Sequence, residues 1–181
     1  MAAGLPEVTA VHIARKGAER LADKYRLFGA KDGQIAGLIE AHVEFQHANA
    51  HLIKPYAGAL RTMQEIRKKG LKNGIVTGRD EKSGELVLKI TGLAPLVDAR
   101  VFGDKTTRIK PNPGQFLECA QLLQTEPGHC LVVGDSKADI EGGNAAGMKT
   151  ALAAYGYGAI VKSEIKPDYT LNAIGDVLEI I

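Results

Sequence analysis

The chain has 181 residues, of which 45% are hydrophobic and 24% are charged, a composition typical of a globular protein with a sizeable core. Its 23 basic and 21 acidic residues nearly balance, so we expect no nucleic-acid partner. No apolar stretch reaches the roughly 18 residues that a membrane-spanning helix needs, and no signal-peptide pattern opens the sequence, so we expect no membrane partner and a cytoplasmic location.

The first 53 residues show only helical patterns. One helix is predicted from Thr9, whose hydroxyl can cap the first turn, to a stop near Gly29. A second helix follows residues 31–33, with apolar residues at i, i+3, i+4 and i+7 spacing. Two helices joined by a short loop cannot hide both apolar faces by themselves. We therefore divide the chain into a helical unit, residues 1–53, and a second domain, residues 54–181.

After residue 53, short β-rich runs alternate with helical segments. The predicted strands are residues 71–78, 99–102, 130–134, 149–153 and 168–170, and the predicted helices are 57–69, 80–91, 113–124, 137–146 and 172–180. This alternation predicts an α/β, Rossmann-like fold in which a parallel sheet carries helices on both faces. Ligands of such sheets bind beyond the carboxyl ends of the strands.

The first polar strand end is Thr77-Gly78, directly after Ile75-Val76. A hydroxyl followed by exposed amides at a helix N-terminus can cradle an anion. The alternative is that Thr77 only caps the helix that follows it.

The second candidate is Lys110, which precedes a proline-stiffened loop, residues 111–113. A lysine aimed from such a loop can neutralise a phosphoryl group. The alternative is a solvated surface lysine.

The third candidate is the pair Asp135 and Asp139, which follow the most apolar strand of the chain. Two carboxylates that converge at a helix start suit Mg²⁺, which prefers oxygen ligands and keeps waters. The alternative is that Asp135 caps the helix while Asp139 interacts favourably with its dipole.

The order and spacing of these motifs resemble the haloacid dehalogenase superfamily, in particular its phosphoglycolate-phosphatase-like members with a helical cap. The resemblance is carried by Thr77, by residues 110–113 (KPNP), 133–140 (VGDSKADI) and 143–148 (GNAAGM), and it extends from about Leu5 to the end. It implies that residues 1–53 are an incomplete cap. It also implies that Thr77, Gly78 and Lys110 bind the phosphoryl group, with Thr77 and Lys110 catalytic. Asp135 would ligate Mg²⁺, and Asp139 would support the metal or Lys110.

One part of the superfamily pattern is absent from this sequence. The family's nucleophile is an aspartate in an Asp-x-Asp motif that ends the first core strand, and no Asp-x-Asp occurs here. The resemblance therefore implies that the first core strand is missing, that there is no nucleophile, and that hydrolysis of a small, phosphoglycolate-like phosphate ester is impaired.

Two alternatives to a phosphatase stay open. The first alternative is a non-catalytic module that binds Mg²⁺ or phosphate. The second is a subunit that is completed by a strand from a second copy or another partner. The substrate stays open as well, with pyrophosphate and sugar phosphates beside phosphoglycolate.

Overall fold

A computed structural model describes residues 21–157 and 165–181. Its α-helices are α1 (Leu21–Leu27), α2 (Asp32–Ala48), α3 (Ala59–Lys68), α4 (Glu81–Ile90), α5 (Gly114–Leu122) and α6 (Lys137–Ala145). Its strands are β1 (Gly74–Val76), β2 (Ala99–Val101), β3 (Leu131–Gly134), β4 (Lys149–Ala153) and β5 (Tyr169–Leu171). Short 3-10 helices span Ala50–Leu52, Ala94–Leu96, Pro127–His129 and Ile174–Glu179.

Strands and helices alternate after residue 53, and every strand pair in the described part of the chain is parallel. The predicted α/β, Rossmann-like class is confirmed. The strands divide between two sheets, one with the order β1-β2 and one with the order β3-β4-β5. The facing edges of β1 and β3 have no hydrogen-bonded partner among the described strands.

The facing edges of β1 and β3 enclose an apolar cavity of about 190 Å³, which we call the β1–β3 cleft. Val76 and Val132 contribute to its wall, together with Phe116 of α5 and Met148. Every residue of β1 and β3 keeps some exposure, whereas β4 is buried from Thr150 to its end. A strand with a neighbour on only one side cannot cover both of its edges.

Helix packing fixes where the strand ends lie. Helix α5 packs on β1 and β2, and α6 packs on β3 and β4. Ile140 of α6 is fully buried beside Leu152 and Ile165. Gly143 lets α6 approach the second sheet closely, since a Cβ there would lie 2.7 Å from a methyl group of Thr150. The loops that follow β1 and β3 are therefore held on a packed scaffold.

Helices α1 and α2 form the predicted hairpin. The Tyr25 hydroxyl lies 3.1 Å from Nδ1 of His42, and Arg26 bonds to Asp32 at the start of α2. The start of the first predicted helix, Thr9, lies outside the described residues. The boundary at residue 53 stays a prediction, although the five strands described in residues 21–157 and 165–181 all follow it. In residues 21–157 and 165–181, no helix combines the length and apolarity needed to cross a bilayer.

Most predicted elements have observed counterparts that differ by a few residues at their ends. The predicted C-terminal helix is different, because its observed form is the 3-10 helix Ile174–Glu179. The Asp176 carboxylate accepts hydrogen bonds from the backbone amides of Asn172 and Ala173, which hold the N-terminal end of this 3-10 helix. A 3-10 run of six residues is longer than usual, so the predicted helix is present in a tighter geometry than an α-helix.

Candidate functional site

Lys110 lies between the ends of β1 and β3. Its Nζ donates to Oδ1 of Asp139 at 2.7 Å and to the backbone oxygen of Val76 at 3.3 Å. The side chains of Lys110 and Asp139 are each only 12% exposed. The alternative of a solvated surface lysine is therefore wrong, because this ammonium group is buried at the mouth of the β1–β3 cleft.

Thr77 is the residue after β1. Its amide donates to the backbone oxygen of Val101, which continues the pairing of β1 with β2 by one residue. Its hydroxyl oxygen accepts a hydrogen bond from the Arg79 amide at 3.2 Å. The helix that follows is capped by Asp80, whose carboxylate accepts from the Ser83 amide, so Thr77 is not the N-cap.

Gly78 lies in the same tight loop as Thr77. The backbone of Gly103, which follows β2, approaches Gly78 so closely that a Cβ on Gly103 would overlap its carbonyl oxygen. This contact packs the loop after β1 directly against the loop after β2. The hydroxyl and the amides of this loop are therefore presented on a rigid backbone.

The two carboxylates of the third motif have different surroundings. Asp139 uses Oδ1 for Lys110, and its Oδ2 accepts from the amide and the hydroxyl of Ser136 at 3.1 and 2.6 Å. Ser136 is the N-cap of α6, because its Oγ in turn accepts from the Asp139 amide. The alternative in which Asp135 caps this helix is therefore wrong.

Asp135 is half-buried where β3 meets α6. Gly156 packs against its Cβ so closely that a side chain there would collide with the carboxylate. Tyr56 and Tyr155 lie nearby with their rings edge to face, their centroids 5.1 Å apart. Burial is the main cause that raises the pKa of both phenols, and the negative charge of Asp135 raises each pKa further. Aromatic rings therefore flank one side of the carboxylate.

The structure brings Thr77, Lys110 and Asp139 together through direct or shared contacts. It places Asp135 at the adjoining strand end, since Gly134 touches Asp139. The sequence did not predict the residue that links two of them, Gln115, which is fully buried. Its Oε1 accepts from the Lys110 amide, and its Nε2 donates to the backbone oxygen of Thr77 at 3.5 Å. A buried, bonded glutamine two residues after Pro113 leaves no pattern that a single sequence reveals.

Carboxylate oxygens at this edge fit one mode of Mg²⁺ binding. Within the described residues, no group of three or more His, Cys, Asp or Glu side chains is gathered as a metal site. Both oxygens of Asp139 are bonded to protein groups, and Asp135 places a second carboxylate at the adjoining strand end. Mg²⁺ commonly uses one or two carboxylates together with substrate phosphates and waters. The residues present therefore suit a cation whose ligands are a protein carboxylate, the oxygens of a bound anion and water molecules.

The chain matches the haloacid dehalogenase-like hydrolase family over residues 7–153. It is 34% identical over 152 residues to the pyrophosphatase PpaX of Bacillus thuringiensis (strain Al Hakam), a match that spans 83% of this chain and 70% of that protein. The chain thus belongs to the haloacid dehalogenase-like hydrolase family, as the motifs indicated.

Solved structures share the fold. A predicted phosphoglycolate phosphatase from Haemophilus somnus 129PT superposes with a TM-score of 0.85 at 22% identity, covering 98% of this chain and 84% of that one. CbbY from Rhodobacter sphaeroides, solved in complex with phosphate, gives a TM-score of 0.83 at 15% identity, covering 97% and 84%. These likenesses confirm the architecture.

Proposed function

We propose that this edge of the sheets binds the phosphoryl group of a small phosphate ester together with Mg²⁺. The observation that carries the proposal is the buried contact of Lys110 with Asp139, which places a cation beside the Thr77 loop. A lysine held in this way neutralises phosphoryl oxygens as a point charge. The Thr77 hydroxyl and the amides of its loop supply hydrogen bonds. Asp135 would hold the metal, whose charge would neutralise further phosphate oxygens.

We also propose that hydrolysis by this 181-residue chain is impaired. The sequence has no Asp-x-Asp, and a covalent phosphoryl-enzyme mechanism needs a nucleophilic carboxylate in line with the phosphorus atom. Asp139 cannot take that role without giving up its contacts to Lys110 and Ser136. We therefore expect binding of phosphate without efficient turnover. Phosphoglycolate and pyrophosphate are the first substrates to test, and a cytoplasmic location stays a prediction.

Calorimetric titration with inorganic phosphate, with and without Mg²⁺, tests this function. Thr77→Val removes the hydroxyl and should weaken phosphate binding about 10-fold, as expected for a hydrogen bond to a charged group. Thr77→Ser keeps a hydroxyl and should bind within about 3-fold of the parent protein. A parallel assay follows phosphate release from phosphoglycolate and pyrophosphate. Absence of phosphate binding to the folded protein would refute the proposal, and rapid Mg²⁺-dependent release would refute the impairment.

The β1–β3 cleft favours a second candidate function, a subunit completed by a strand from another polypeptide. The facing edges of β1 and β3, which pair with no described strand, can each donate and accept backbone hydrogen bonds. The cleft wall is apolar, and the Lys110 ammonium lies at the end where the two strands finish. The matching occupant is an apolar strand that runs parallel to β1 and β3 and ends in a carboxylate.

Synthetic peptides test this second candidate directly. One peptide has alternating Val and Ile followed by Asp, and its control has Lys in place of Asp. Cys130 lines the cleft and reports occupancy through its rate of alkylation. The Asp peptide should slow alkylation and raise the melting temperature, while the Lys peptide should do neither because Lys110 repels it. Equal effects of both peptides, or no effect of either, would contradict the strand-acceptor function, and sedimentation would report whether a second copy fills the cleft instead.

A further inference from the structure

Arg79 connects the Thr77 loop to the helix α2. Its Nη1 donates to Oε1 of Gln46 at 3.3 Å and to Oγ of Ser83 at 3.1 Å. Gln46 belongs to α2, and Ser83 lies in the first turn of α4. The guanidinium therefore bridges the helical hairpin and the α/β part of the chain, two residues after the proposed phosphate-binding hydroxyl.

The guanidinium has only neutral partners in the described part of the chain. The two nearest acidic residues in sequence are engaged elsewhere: Asp80 accepts from the Ser83 amide, and Glu81 pairs with Lys105 at 2.6 Å. Nη1 makes both side-chain contacts of Arg79, so the Nε and Nη2 donors face no described protein acceptor. An arginine presents five N–H donors in a planar fork that matches a carboxylate or phosphate. Part of that fork remains open to an anion.

The amide of Gln46 is itself oriented by a hydrogen-bonded chain. Its Nε2 lies 2.8 Å from Nε2 of His42, whose Nδ1 lies 3.1 Å from the Tyr25 hydroxyl. Burial, with a smaller contribution from the positive charge of Arg79, lowers the pKa of His42, so the neutral ring can accept from the amide. This arrangement turns the Gln46 oxygen towards Arg79, and it holds the guanidinium in place through a neutral contact that a charged ligand can outcompete.

We infer that Arg79 binds a second anionic group on the ligand whose phosphoryl group lies at Thr77 and Lys110. The ligand class is then a phosphate ester or anhydride with a further carboxylate or phosphate close to the phosphoryl group, rather than a phosphate ester of a neutral alcohol. This inference rests on the proposed function and adds the recognition of the rest of the ligand.

Two non-hydrolysable probes separate the two anions: methylphosphonate, with one phosphonate group, and methylenediphosphonate, with two. Affinities are measured by calorimetry without metal and then at a fixed free Mg²⁺ concentration, because the diphosphonate also binds the cation. The parent protein should bind the diphosphonate at least about 10-fold more tightly than methylphosphonate, since charge-assisted hydrogen bonds are the strong ones.

Variants of Arg79 assign that preference to its side chain. Arg79→Gln should weaken diphosphonate binding about 10-fold or more and change methylphosphonate binding less than about 3-fold. Arg79→Lys keeps the positive charge but lacks the planar guanidinium, so its affinity for the diphosphonate should lie between those of the parent protein and Arg79→Gln. Lys82→Gln is the matched control, because it removes one positive charge three residues after Arg79, at an exposed position in the first turn of α4.

Each outcome is decisive. The inference is overturned if Arg79→Gln loses affinity equally for both probes, or if Lys82→Gln loses as much diphosphonate affinity as Arg79→Gln does. It is also overturned if the parent protein binds both probes with equal affinity. Each of these results leaves phosphate binding intact. If the folded parent protein binds neither probe, the proposed function fails and the inference with it. Arg79 is exposed, so its variants should fold, and circular dichroism checks this.

Discussion

Replacement of Lys110 by Met tests whether a buried ion pair organises the site. The ammonium lies 2.7 Å from Oδ1 of Asp139, and both side chains are 12% exposed. Met has a similar length and no charge, so the variant leaves the Asp139 carboxylate buried without its cation. Removing one partner of such a pair costs about 3–5 kcal/mol. A domain of this size has a free energy of unfolding of about 5–15 kcal/mol, so the loss is a large fraction of it.

Urea denaturation followed by circular dichroism measures the cost of Lys110→Met. The midpoint should fall while the dependence on urea stays unchanged, which identifies a change in stability alone. Lys89→Met is the control at an exposed helical position and should stay within about 0.5 kcal/mol of the parent protein. The double variant Lys110→Met, Asp139→Leu should be less destabilised than the sum of its single variants, because replacing both charges is often close to neutral. A loss below about 1 kcal/mol in Lys110→Met, or additive losses in the double variant, would refute the coupling of the two charges.

Three further predictions concern the scaffold. Gly84→Ala should lower the melting temperature, because its Cβ would overlap the Phe102 ring and overpacking costs about 1–3 kcal/mol, more than the roughly 1 kcal/mol gained in helix propensity. Hydrogen bonds from Lys149 and the Thr150 amide hold the pKa of Asp168 below its ordinary value of about 4, so this contribution to stability is present above pH 4 and lost as pH falls through the lowered pKa. Asp168→Asn should therefore be less stable than the parent protein at pH 7, with the difference shrinking below pH 4 in acid denaturation. Burial raises the pKa of Cys119 to about 11, so alkylation of its thiol at pH 8 should be at least about 100-fold slower in the native protein than in urea, as mass spectrometry would show.

Local patterns predicted the elements and the edge at which polar residues meet. The strand predicted over residues 149–153 matches the observed strand, because a short, mostly apolar segment between two helical or glycine-containing segments is typical of a buried strand. Thr77 and Lys110 could be placed near each other because parallel strands finish at one edge of a sheet. The family assignment followed from the spacing of these loops and is confirmed over residues 7–153.

Features that depend on contacts between distant segments were not predictable. Gln115 and Gln46 acquire their roles only through long-range hydrogen bonds to Thr77 and Arg79. Glutamines are ordinary surface residues in most helices, so their identity alone carries no signal.

Thermodynamic linkage gives a further test of the proposed role of Asp135 in Mg²⁺ binding. Because both oxygens of Asp139 are bonded to protein groups, Asp135 should bind Mg²⁺ weakly until a phosphate supplies additional oxygens. Phosphate should then tighten Mg²⁺ binding by the same factor by which Mg²⁺ tightens phosphate binding, and titrations in both orders measure that factor. We expect a factor of about 5 or more, which is the lower end of typical coupling energies. Asp135→Asn should reduce it towards one while leaving metal-free phosphate binding within about 3-fold. Tight Mg²⁺ binding without phosphate, or a coupling that survives in Asp135→Asn, would show that other ligands hold the cation and that Asp135 does not.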